Sequence, residues 1–456
     1  MYETITEPVR QTPIAYEADI CVIGGSCTGA FAAIAAARLG AKVAIVENMG
    51  FFGGTATASK VCVWHTNMNS TYDHDIFAGL TMELINRLKA RDAVIDKGPN
   101  PYAQFVFLPD EMIIELDEMV IEAGIRPFLH TRFVGCVKSD DGEVQAAIIE
   151  DKSGRRAIKA AVFIDATGDA DLVYQMGLPT RTADHLQPPT TCAIVQGVNS
   201  VTDGTPHMQF LRENVFDPKY PEALPKGHLW TATLPGEDMI MVAGTRVHGA
   251  DCSDPDQLTQ AEIEGRRQVR AIVDILRKQE GGEAVKLFGL AARIGIRETR
   301  HAVCEHQLTE QEVLYGKRFD DAVLNGSYTV DIHLTDDDGI IFRSLDGVEK
   351  VIMADGSRTI GRWREETEGL PTFYQMPYRS MIPKGSRNVI VAGRCVDADP
   401  GAFGAIRVMV NANQMGQAAG VAAYLALNAN QMVGEVDAVK LRQTLESAGQ
   451  LVLQHD

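Results

Sequence analysis

The chain has 456 residues and an ordinary globular composition, with 45% hydrophobic and 23% charged residues. Its 43 basic and 61 acidic residues give a formal net charge of −18, which argues against nucleic acid or an anionic membrane surface as a partner. Eight scattered cysteines form no C-x-x-C pair, a pattern typical of reduced thiols and not of iron–sulfur ligands. Because no apolar run has membrane-spanning length and residues 1–15 are polar, the sequence predicts a cytoplasmic protein.

The first fifty residues contain a strand, a glycine-rich turn, an alanine-rich helix and a second strand. Residues 20–23 are apolar and lead into the turn, Gly40 stands where the helix would end, and the strand over 43–46 ends in an acid. This order is typical of a dinucleotide-binding β-α-β unit, in which the pyrophosphate lies at the helix N-terminus and the acid binds a ribose hydroxyl. The predicted dinucleotide contacts are Gly24, Gly25, Ser26, Cys27, Thr28, Gly29, Glu47 and Asn48.

Two residues of this unit bear on the type of dinucleotide. Ser26 occupies the middle small-residue position of G-x-G-x-x-G, where its Cβ crowds the pyrophosphate while its hydroxyl can donate to a phosphate oxygen. Glu47 favours an unphosphorylated adenosine ribose, as in FAD or NAD, over that of NADP. A parallel strand–helix–strand unit without a ligand is the alternative at this stage.

The next segments alternate between a glycine-rich loop and predicted helices. Residues 53–57 (Gly-Gly-Thr-Ala-Thr) predict a loop whose N–H groups approach a ligand closely, with a plain flexible loop as the alternative. Trp64 and His65 then end a strand-like run. Helices are predicted over residues 77–90 and 110–123.

Short strands and turns alternate from residue 126 to residue 165, which predicts an antiparallel β-meander that ends in an apolar strand. Residues 185–384 lack this alternation and combine mixed strands with one long helix over 258–279. A strand over 388–394 and a helix over 405–427 follow. The predicted fold class is therefore α/β, a Rossmann-like domain with a parallel sheet and a β-meander, interrupted by a mixed α+β domain. Its predicted parts are residues 1–184 and 385–456 for nucleotide binding and residues 185–384 for the substrate.

Together these motifs resemble the FAD-dependent oxidoreductases with the glutathione-reductase-type FAD-binding fold. The bacterial group that is most similar includes the flavin subunit of heterodisulfide reductase. The likeness spans nearly the whole chain and rests on residues 24–29, 53–57, 163–169, 297–300, 316–322, 377–380, 391–395 and 404–409.

The resemblance implies that FAD is the cofactor and indicates which segments hold it. In such proteins the first glycine loop and the acid hold the ADP half, whereas the Gly-Gly-Thr segment and the C-terminal Gly-Arg loop surround the ribityl chain and the isoalloxazine. The N-terminus of a helix beginning near Gly404, together with Arg407, would face negative charge on the reduced flavin. The further contacts that the resemblance implies are Gly54, Thr55, Ala56, Thr57, Val134, Cys136, Ala166, Thr167, Gly168, Gly393, Arg394, Gly404, Ile406 and Arg407.

A flavin dehydrogenase also needs a base where its substrate meets the flavin. His65 is the first candidate because it follows the Gly-Gly-Thr segment, with a packed structural histidine or a covalent flavin link as the alternatives. His333 is the second candidate because it ends a strand-like run of the predicted substrate domain, and an ordinary surface histidine is its alternative.

Substrate-binding candidates are residues able to hold an oxyanion or a hydroxyl. Tyr378 and Arg379, together with Arg297 and Arg300, are such candidates, because guanidinium groups suit carboxylates. A structural ion pair is the alternative for each arginine.

No metal site is predicted. The segment 301–306 offers His301 and Cys304, but strand alternation would place these two side chains on opposite faces. A thiol at Cys27 would have a lowered pKa at a helix N-terminus, yet the pyrophosphate would occupy that place.

The sequence therefore predicts an FAD-dependent oxidoreductase, a dehydrogenase or oxidase, that removes a hydride from a small polar substrate bearing a hydroxyl or a carboxylate. Two alternatives stay open: a reductase of an activated C=C bond with Arg379 as proton donor, and a flavoprotein that passes electrons to a partner protein. Because only one dinucleotide motif is present, the electron acceptor is unknown. Neither nucleic acid nor a membrane is predicted as a partner, and a homo-oligomer stays open.

Overall fold

Both the strands and the helices of the computed structural model contribute buried apolar residues to its core. The structure describes residues 3–224, 228–334, 339–353 and 357–453. In these ranges the strands are β1 (Ile14–Glu17), β2 (Ile20–Ile23), β3 (Val43–Val46), β4 (Val63–Trp64), β5 (Val94–Asp96), β6 (Phe105–Phe107), β7 (Arg126–Phe128), β8 (Arg132–Lys138), β9 (Val144–Asp151), β10 (Gly154–Lys159), β11 (Val162–Asp165), β12 (Thr180–Thr182), β13 (Ala193–Gln196), β14 (Trp230–Thr233), β15 (Met239–Ala243), β16 (Lys286–Leu290), β17 (Arg300–Ala302), β18 (Ala322–Gly326), β19 (Val330–His333), β20 (Ile340–Arg343), β21 (Val348–Ile352), β22 (Arg358–Arg362), β23 (Tyr374–Pro377) and β24 (Val389–Val391).

The helices of the described residues alternate with these strands along the chain. Three short 3-10 helices add single turns at Gly282–Ala284, Tyr378–Met381 and Val433–Glu435. The α-helices are α1 (Cys27–Arg38), α2 (Gly79–Lys89), α3 (Pro109–Glu122), α4 (Asp171–Gln175), α5 (Asn199–Thr202), α6 (His207–Val215), α7 (Pro255–Arg277), α8 (Glu310–Leu314), α9 (Pro400–Ile406), α10 (Met409–Ala429) and α11 (Ala438–Ser447).

A five-stranded parallel sheet in the order β24-β11-β2-β3-β7 forms the centre of the fold. All residues of β2, β3, β11 and β24 are buried, as expected for a parallel sheet covered by helices on both faces. Beside it, β8, β9 and β10 form the antiparallel meander, which β1 extends. The predicted α/β class with a parallel sheet and a β-meander is confirmed.

The middle of the chain builds further sheets. The antiparallel sheet β14-β15-β13-β16 packs with α6 and α7 around its own apolar core, which includes Val195, Ile240 and Ile272. Strands β18 and β23 instead pack into the main core, and β19-β20-β21-β22 form a separate antiparallel sheet. The division into residues 1–184, 185–384 and 385–456 stays a prediction.

The C-terminal helix departs from its predicted form. One helix over 405–427 was expected, whereas the structure has α9 and α10, with a break at Arg407 and Val408. The helix α9 begins earlier than expected because the carboxylate of Asp399 caps it by accepting a hydrogen bond from the Ala402 N–H at 2.8 Å, and Pro400 occupies its first turn. The predicted helix start at residue 405 did not take Asp399 and Pro400 into account, although this pair of residues favours a helix start.

The helices α1 and α10 lie in direct backbone contact. A Cβ atom on Gly416 would lie 2.1 Å from the carbonyl oxygen of Thr28, and one on Gly420 would lie 2.1 Å from that of Ala32. Two glycines spaced by four residues therefore let α10 approach the first turns of α1 more closely than any other residue type allows. This contact fixes the position of the α1 N-terminus.

Replacing Gly416 by Ala should lower the free energy of unfolding by about 1–3 kcal/mol, because the added methyl group meets backbone and not a movable side chain. The measurement is urea-induced unfolding followed by circular dichroism. The matched control is Gly361→Ala on β22, where nothing lies within 4 Å of the added Cβ and a change within about 0.5 kcal/mol is expected. Equal stability of Gly416→Ala and the unmodified protein would show that the helices separate at no cost.

Candidate active site

One large cavity runs along the C-terminal edge of the parallel sheet and continues between the sheets of the middle region. Its volume of about 1300 Å³ exceeds the ~300–1,000 Å³ that is typical for a pocket holding a single drug-sized molecule. The first glycine turn, the segment 53–59, the start of α10 and the strands β14, β19 and β22 all contribute to its wall. The cavity therefore has room for a dinucleotide and a substrate together.

The glycine turn at one end of the cavity admits no side chain. Gly24 has a φ of +100°, and a Cβ on it would lie 2.3 Å from the carbonyl oxygen of Ala166. A Cβ on Gly29 would lie 1.8 Å from the carbonyl oxygen of Gly24. The turn thus brings the first N–H groups of α1 to the cavity, next to Ser26, whose side chain makes no capping hydrogen bond. Free N–H groups and a free hydroxyl at a helix N-terminus bind anions such as a pyrophosphate.

Glu47 lies at the end of β3 in a fixed orientation. One carboxylate oxygen accepts a hydrogen bond from the Gly25 N–H and the other from the Met49 N–H, both at 2.7 Å. Burial raises the pKa of Glu47, and these backbone donors oppose the shift. Each oxygen keeps a lone pair, and Glu47 lines the cavity where a ribose hydroxyl would donate to it.

An ionic cluster forms the cavity wall beside Gly168. Arg394 donates to Asp169 at 3.3 Å, and Arg293 lies 3.8 Å from the other oxygen of the same carboxylate. Thr299 also donates to Asp169, at 2.6 Å. The Nη1 atom of Arg394 is buried and has no hydrogen-bond partner among the described residues, so one donor of this cluster remains for a ligand.

The start of α10 carries a residue that the sequence analysis missed. Asn413 is buried, it lines the cavity, and neither its Nδ2 nor its Oδ1 atom has a hydrogen-bond partner in the described part of the chain. A buried amide that lacks both partners is costly unless a ligand supplies them. The usable signal was an asparagine near the start of an alanine-rich helix.

The structure brings most of the predicted cofactor residues together. Those that line the cavity are Gly24, Gly25, Ser26, Cys27, Thr28, Glu47, Asn48, Gly54, Thr55, Ala166, Thr167, Gly168, Gly393, Arg394 and Arg407. The ones that do not line it are Gly29, Ala56, Thr57, Val134, Cys136, Gly404 and Ile406.

The residues outside the cavity support its wall or lie elsewhere. Thr57 donates to the Phe52 carbonyl at 2.8 Å and thereby holds the glycine loop. On β8, Arg132 and Phe133 line the cavity in place of Val134 and Cys136, because the strand turns its later residues away. Gly404 lies inside α9, where a Cβ would meet the Asp331 carbonyl oxygen at 2.6 Å.

The expected helix N-terminus at Gly404 is therefore wrong. The helix whose first residues line the cavity near Arg407 is α10, which begins at Met409, two residues after Arg407. Arg407 itself lines the cavity, as expected, and its Nη2 atom lies 3.2 Å from a carboxylate oxygen of Asp331.

Both candidate bases lie at the cavity. The ring of His65 packs against Tyr328 with 4.3 Å between the ring centroids, and its buried Nδ1 atom has no partner among the described residues. Burial, and then the charge of Arg407, lowers the pKa of His65 to about 3. His333 is buried, and its Nε2 atom lies 3.6 Å from Asp331. Burial and neighbouring arginines lower the pKa of His333 well below its usual value.

Tyr378 and Arg379 do not belong to this site, which corrects the sequence-based expectation. The hydroxyl of Tyr378 donates to the Val433 carbonyl at 2.8 Å, and the guanidinium of Arg379 pairs with Asp321 at 2.7 Å. Both residues lie in the 3-10 turn after β23, away from the cavity wall. Arg379 therefore lies outside the cavity in which the C=C reductase alternative would need its proton donor.

Two other arginines meet at Thr190 instead, and of these Arg297 lines the cavity whereas Arg246 does not. A guanidinium N–H of Arg246 and one of Arg297 both donate to the hydroxyl oxygen of Thr190, at 2.9 Å and 2.6 Å. Neither arginine forms an ion pair with any described residue; their other acceptors are the carbonyl oxygens of Thr245 and Pro188. Burial lowers the pKa of Arg246 to about 10 and that of Arg297 well below its usual value. Arg297 is one of the predicted substrate-binding residues, whereas Arg246 was not predicted.

The residues that the sequence offered for nucleophilic or metal chemistry include Cys27 and His301. Burial raises the pKa of the Cys27 thiol to about 12, against the lowered value expected at a helix start. His301 is buried between the Val396 carbonyl and the carboxylate of Glu298. The described residues contain no group of three or more potential metal ligands.

The sequence matches the family described as FAD dependent oxidoreductase over residues 19–445. The chain belongs to this family. It is accordingly an oxidoreductase with a nucleotide-binding fold, and its cofactor is FAD. None of the helices over the described ranges has the length and hydropathy of a membrane span.

Individual relatives are distant or partial. Over 163 residues the chain is 36% identical to mitochondrial dihydrolipoyl dehydrogenase of Schizosaccharomyces pombe, which covers 33% of this chain and 28% of that protein. The chain thus matches less than a third of the length of this curated relative. A geranylgeranyl bacteriochlorophyll reductase-like protein from Thermoplasma acidophilum superposes with a TM-score of 0.47 and 13% identity, over 95% of this chain and 84% of that one. A myxobacterial chondrochloren halogenase gives a TM-score of 0.43 and 12% identity, over 95% and 79%.

The cavity residues fit FAD. The absence of a side chain at Gly24 lets the turn pack against the backbone of Ala166, and the first N–H groups of α1 with Ser26 suit a pyrophosphate. Glu47 would accept from the ribose hydroxyls. At the other end, the unsatisfied amide of Asn413 supplies a donor and an acceptor for the polar edge of a flavin ring.

Replacing Asn413 by Leu should raise the dissociation constant of FAD about tenfold, since one or two hydrogen bonds are lost. The stability of the FAD-free protein should stay equal or rise, because an unsatisfied buried amide is removed. The measurements are FAD fluorescence titration and urea unfolding. Asn411→Leu is the matched control: its amide donates to the Tyr374 hydroxyl at 3.0 Å and to Ala405, so this variant should destabilise the FAD-free protein. Unchanged FAD affinity in Asn413→Leu would remove this residue from the cofactor site.

The cavity histidines predict a loss of stability in acid. The pKa values of His65 and His228 lie at about 3, below the usual 6.5, because of burial and nearby arginines. Between about pH 6.5 and pH 3 the unfolded chain therefore binds protons that the folded chain does not, so the free energy of unfolding falls as pH falls. Each histidine should contribute a slope of up to about 1.4 kcal/mol per pH unit. Urea unfolding from pH 7 to pH 4.5 should show a shallower slope in a His65→Gln/His228→Gln variant than in the unmodified protein. Equal slopes would contradict the assignment.

Proposed function

We propose that this protein oxidises a small organic acid: it removes a hydride from a carbon that bears a hydroxyl group, and it binds the carboxylate of the same molecule. The observation that carries the proposal is the pair Arg246 and Arg297, a buried and a half-buried guanidinium group that share the neutral hydroxyl oxygen of Thr190. Like charges held together without a counter-ion are unfavourable, and an anionic ligand at Arg297, the one of the pair that lines the cavity, offsets that cost.

The charges along the cavity support an anionic substrate. We call the region beside the middle sheets the substrate half of the cavity. Among its described lining residues Asp331 is the one acidic side chain, and it already contacts Arg407 and the Tyr328 hydroxyl. The chain as a whole carries a net charge of −18, so positive charge is concentrated inside the cavity of an acidic protein. The basic side chains that line the substrate half are Arg212, Arg297, Lys350, Arg358 and Arg407.

His65 is the proposed proton acceptor. Its lowered pKa keeps the imidazole neutral at pH 7, and its Nδ1 atom has no partner among the described residues, so it has a lone pair or an N–H available to the cavity. A bound carboxylate would offset the charge of Arg407 and raise the pKa of His65 toward the range in which a base is effective. His333, which faces Asp331, is the second candidate for this role.

The chemistry divides between cofactor and protein. When bound, FAD would supply the two-electron acceptor for a hydride from the substrate carbon. The arginine cluster is defined here as Arg246, Arg297 and Arg407: Arg297 and Arg407 line the cavity and bind and orient the carboxylate, and Arg246, which does not line it, adds its charge. His65 takes the hydroxyl proton, so that a hydroxy acid leaves as the corresponding oxo acid.

The test is anaerobic mixing of the FAD-loaded protein with candidate substrates while the flavin absorbance is recorded. Short 2-hydroxy and 3-hydroxy acids should bleach the flavin, whereas neutral alcohols of equal size should not. His65→Gln should slow bleaching by about 10²–10⁴-fold without weakening acid binding. Arg297→Met should weaken acid binding at least about tenfold, because a charge-assisted hydrogen bond is lost.

Arg267→Met is the matched control, because Arg267 is an exposed arginine of α7 that pairs only loosely with Glu264. It should behave like the unmodified protein, and FAD content and melting temperature should be equal in all variants compared. Equal bleaching by neutral alcohols and by acids, or full activity of Arg297→Met, would overturn the proposal.

A further inference from the structure

We infer that the substrate carries a second oxyanion, and that an outer subsite formed by Arg212, His228 and Arg358 binds it. This inference rests on the proposed function and narrows its substrate class from an organic acid to a dianion. The second group is a carboxylate or a phosphate, since guanidinium groups bind both with the same fork of N–H donors.

The guanidinium of Arg212 is held in place at the cavity wall. Its Nε atom donates to the Leu229 carbonyl at 2.8 Å, which fixes the plane of the group. Its Nη2 atom lies 3.4 Å from the ring nitrogens of His228. No carboxylate of the described chain pairs with Arg212, although the residue lines the cavity. A fixed cation whose outer N–H groups face a cavity without a counter-ion is arranged for an anion.

Arg358 contributes a second cation from a different element. It begins β22, the edge strand of the sheet whose first strand, β19, carries Asp331 and His333. Arg358 lines the same cavity as Arg212, and its charge lowers the pKa of Arg212 in addition to burial. Two cations from separate parts of the chain thus lie close enough to repel each other, with no acidic side chain among the described lining residues between them.

His228 lies between the outer subsite and the arginine cluster. Burial lowers its pKa to about 3, followed by the charges of Arg246, Arg212, Arg297 and Arg358 in that order. One uncharged imidazole is therefore exposed to cations from both groups. In the inferred arrangement the two groups form two anion subsites that adjoin at His228, and a molecule with an acidic group at each end would satisfy both.

This arrangement gives the outer subsite a role that the arginine cluster lacks. The cluster lies beside His65 and His333, so a carboxylate there sets the position of the reacting carbon. An anion at Arg212 and Arg358 would instead select for length and charge at the far end of the substrate. Loss of the outer subsite should therefore change discrimination between substrates and leave binding of a monoanion intact.

The experiment compares inert ligands that differ only in the second acidic group. Butyrate and succinate, and valerate and glutarate, are titrated into the FAD-loaded protein by isothermal calorimetry, with phosphonopropionate as the phosphate-like member. Each dianion should bind at least about tenfold tighter than its matched monoanion, since a second charge-assisted contact is added. Arg212→Met should abolish this difference and leave the monoanion affinity within about twofold. Arg358→Met should reduce the difference, and Arg267→Met should keep it.

The outcomes separate this inference from the proposed function. Equal binding of monoanions and dianions to the unmodified protein, with monoanion binding still dependent on Arg297, would overturn the outer subsite alone. An Arg212→Met variant that weakens both ligands equally would do the same. If no carboxylate binds, or if Arg297→Met binds monoanions normally, the proposed function fails together with the inference. A preference for phosphonopropionate over succinate and glutarate would assign a phosphate to the outer subsite.

Discussion

The fold depends on close approach between backbones. The Gly24 turn approaches the end of β11 at Ala166, and α10 approaches α1. Gly24, Gly29, Gly416 and Gly420 remove side chains at each point where two backbones meet. Because these contacts involve carbonyl oxygens and not side-chain atoms, they tolerate no repacking. They position the N-terminus of α1 at the edge of the sheet. The N–H groups at the anion-binding end of the cavity therefore depend on these contacts.

The second constraint is electrostatic. An acidic protein has to keep several arginines next to each other in a buried wall, and it stabilises them mainly with neutral acceptors: the Thr190 hydroxyl and the carbonyl oxygens of Thr245 and Leu229. Such acceptors satisfy N–H groups but do not neutralise charge. An anionic substrate, as proposed above, would recover the free energy lost there, and the cavity would then give up stability in favour of affinity.

The sequence predicted what depends on short patterns and missed what depends on long-range packing. The β-α-β unit, Glu47 and the meander follow from local periodicity and turn residues, and the structure has them. The break between α9 and α10 was missed although Asp399-Pro400 announces a helix start, because the alanine-rich stretch beyond it favours one continuous helix. Arg246 and Asn413 were missed because a sequence does not show whether a polar side chain finds a partner.

The break between α9 and α10, which the sequence did not predict, places the start of α10 and Arg407 at the same cavity. Arg407 keeps helical dihedral angles at the end of α9, directly before the break at Val408, and its side chain lies against Asp331 on β19, while its charge also acts on His65. A continuous helix over 405–427 would offer no helix start at this place. With the break, the first residues of α10, the proposed base His65 and Arg407 all line the cavity. A change in charge at the cluster, such as the arrival of a carboxylate, therefore acts directly on the pKa of His65. In this way the same group that would bind the substrate would also prepare the residue that takes its proton.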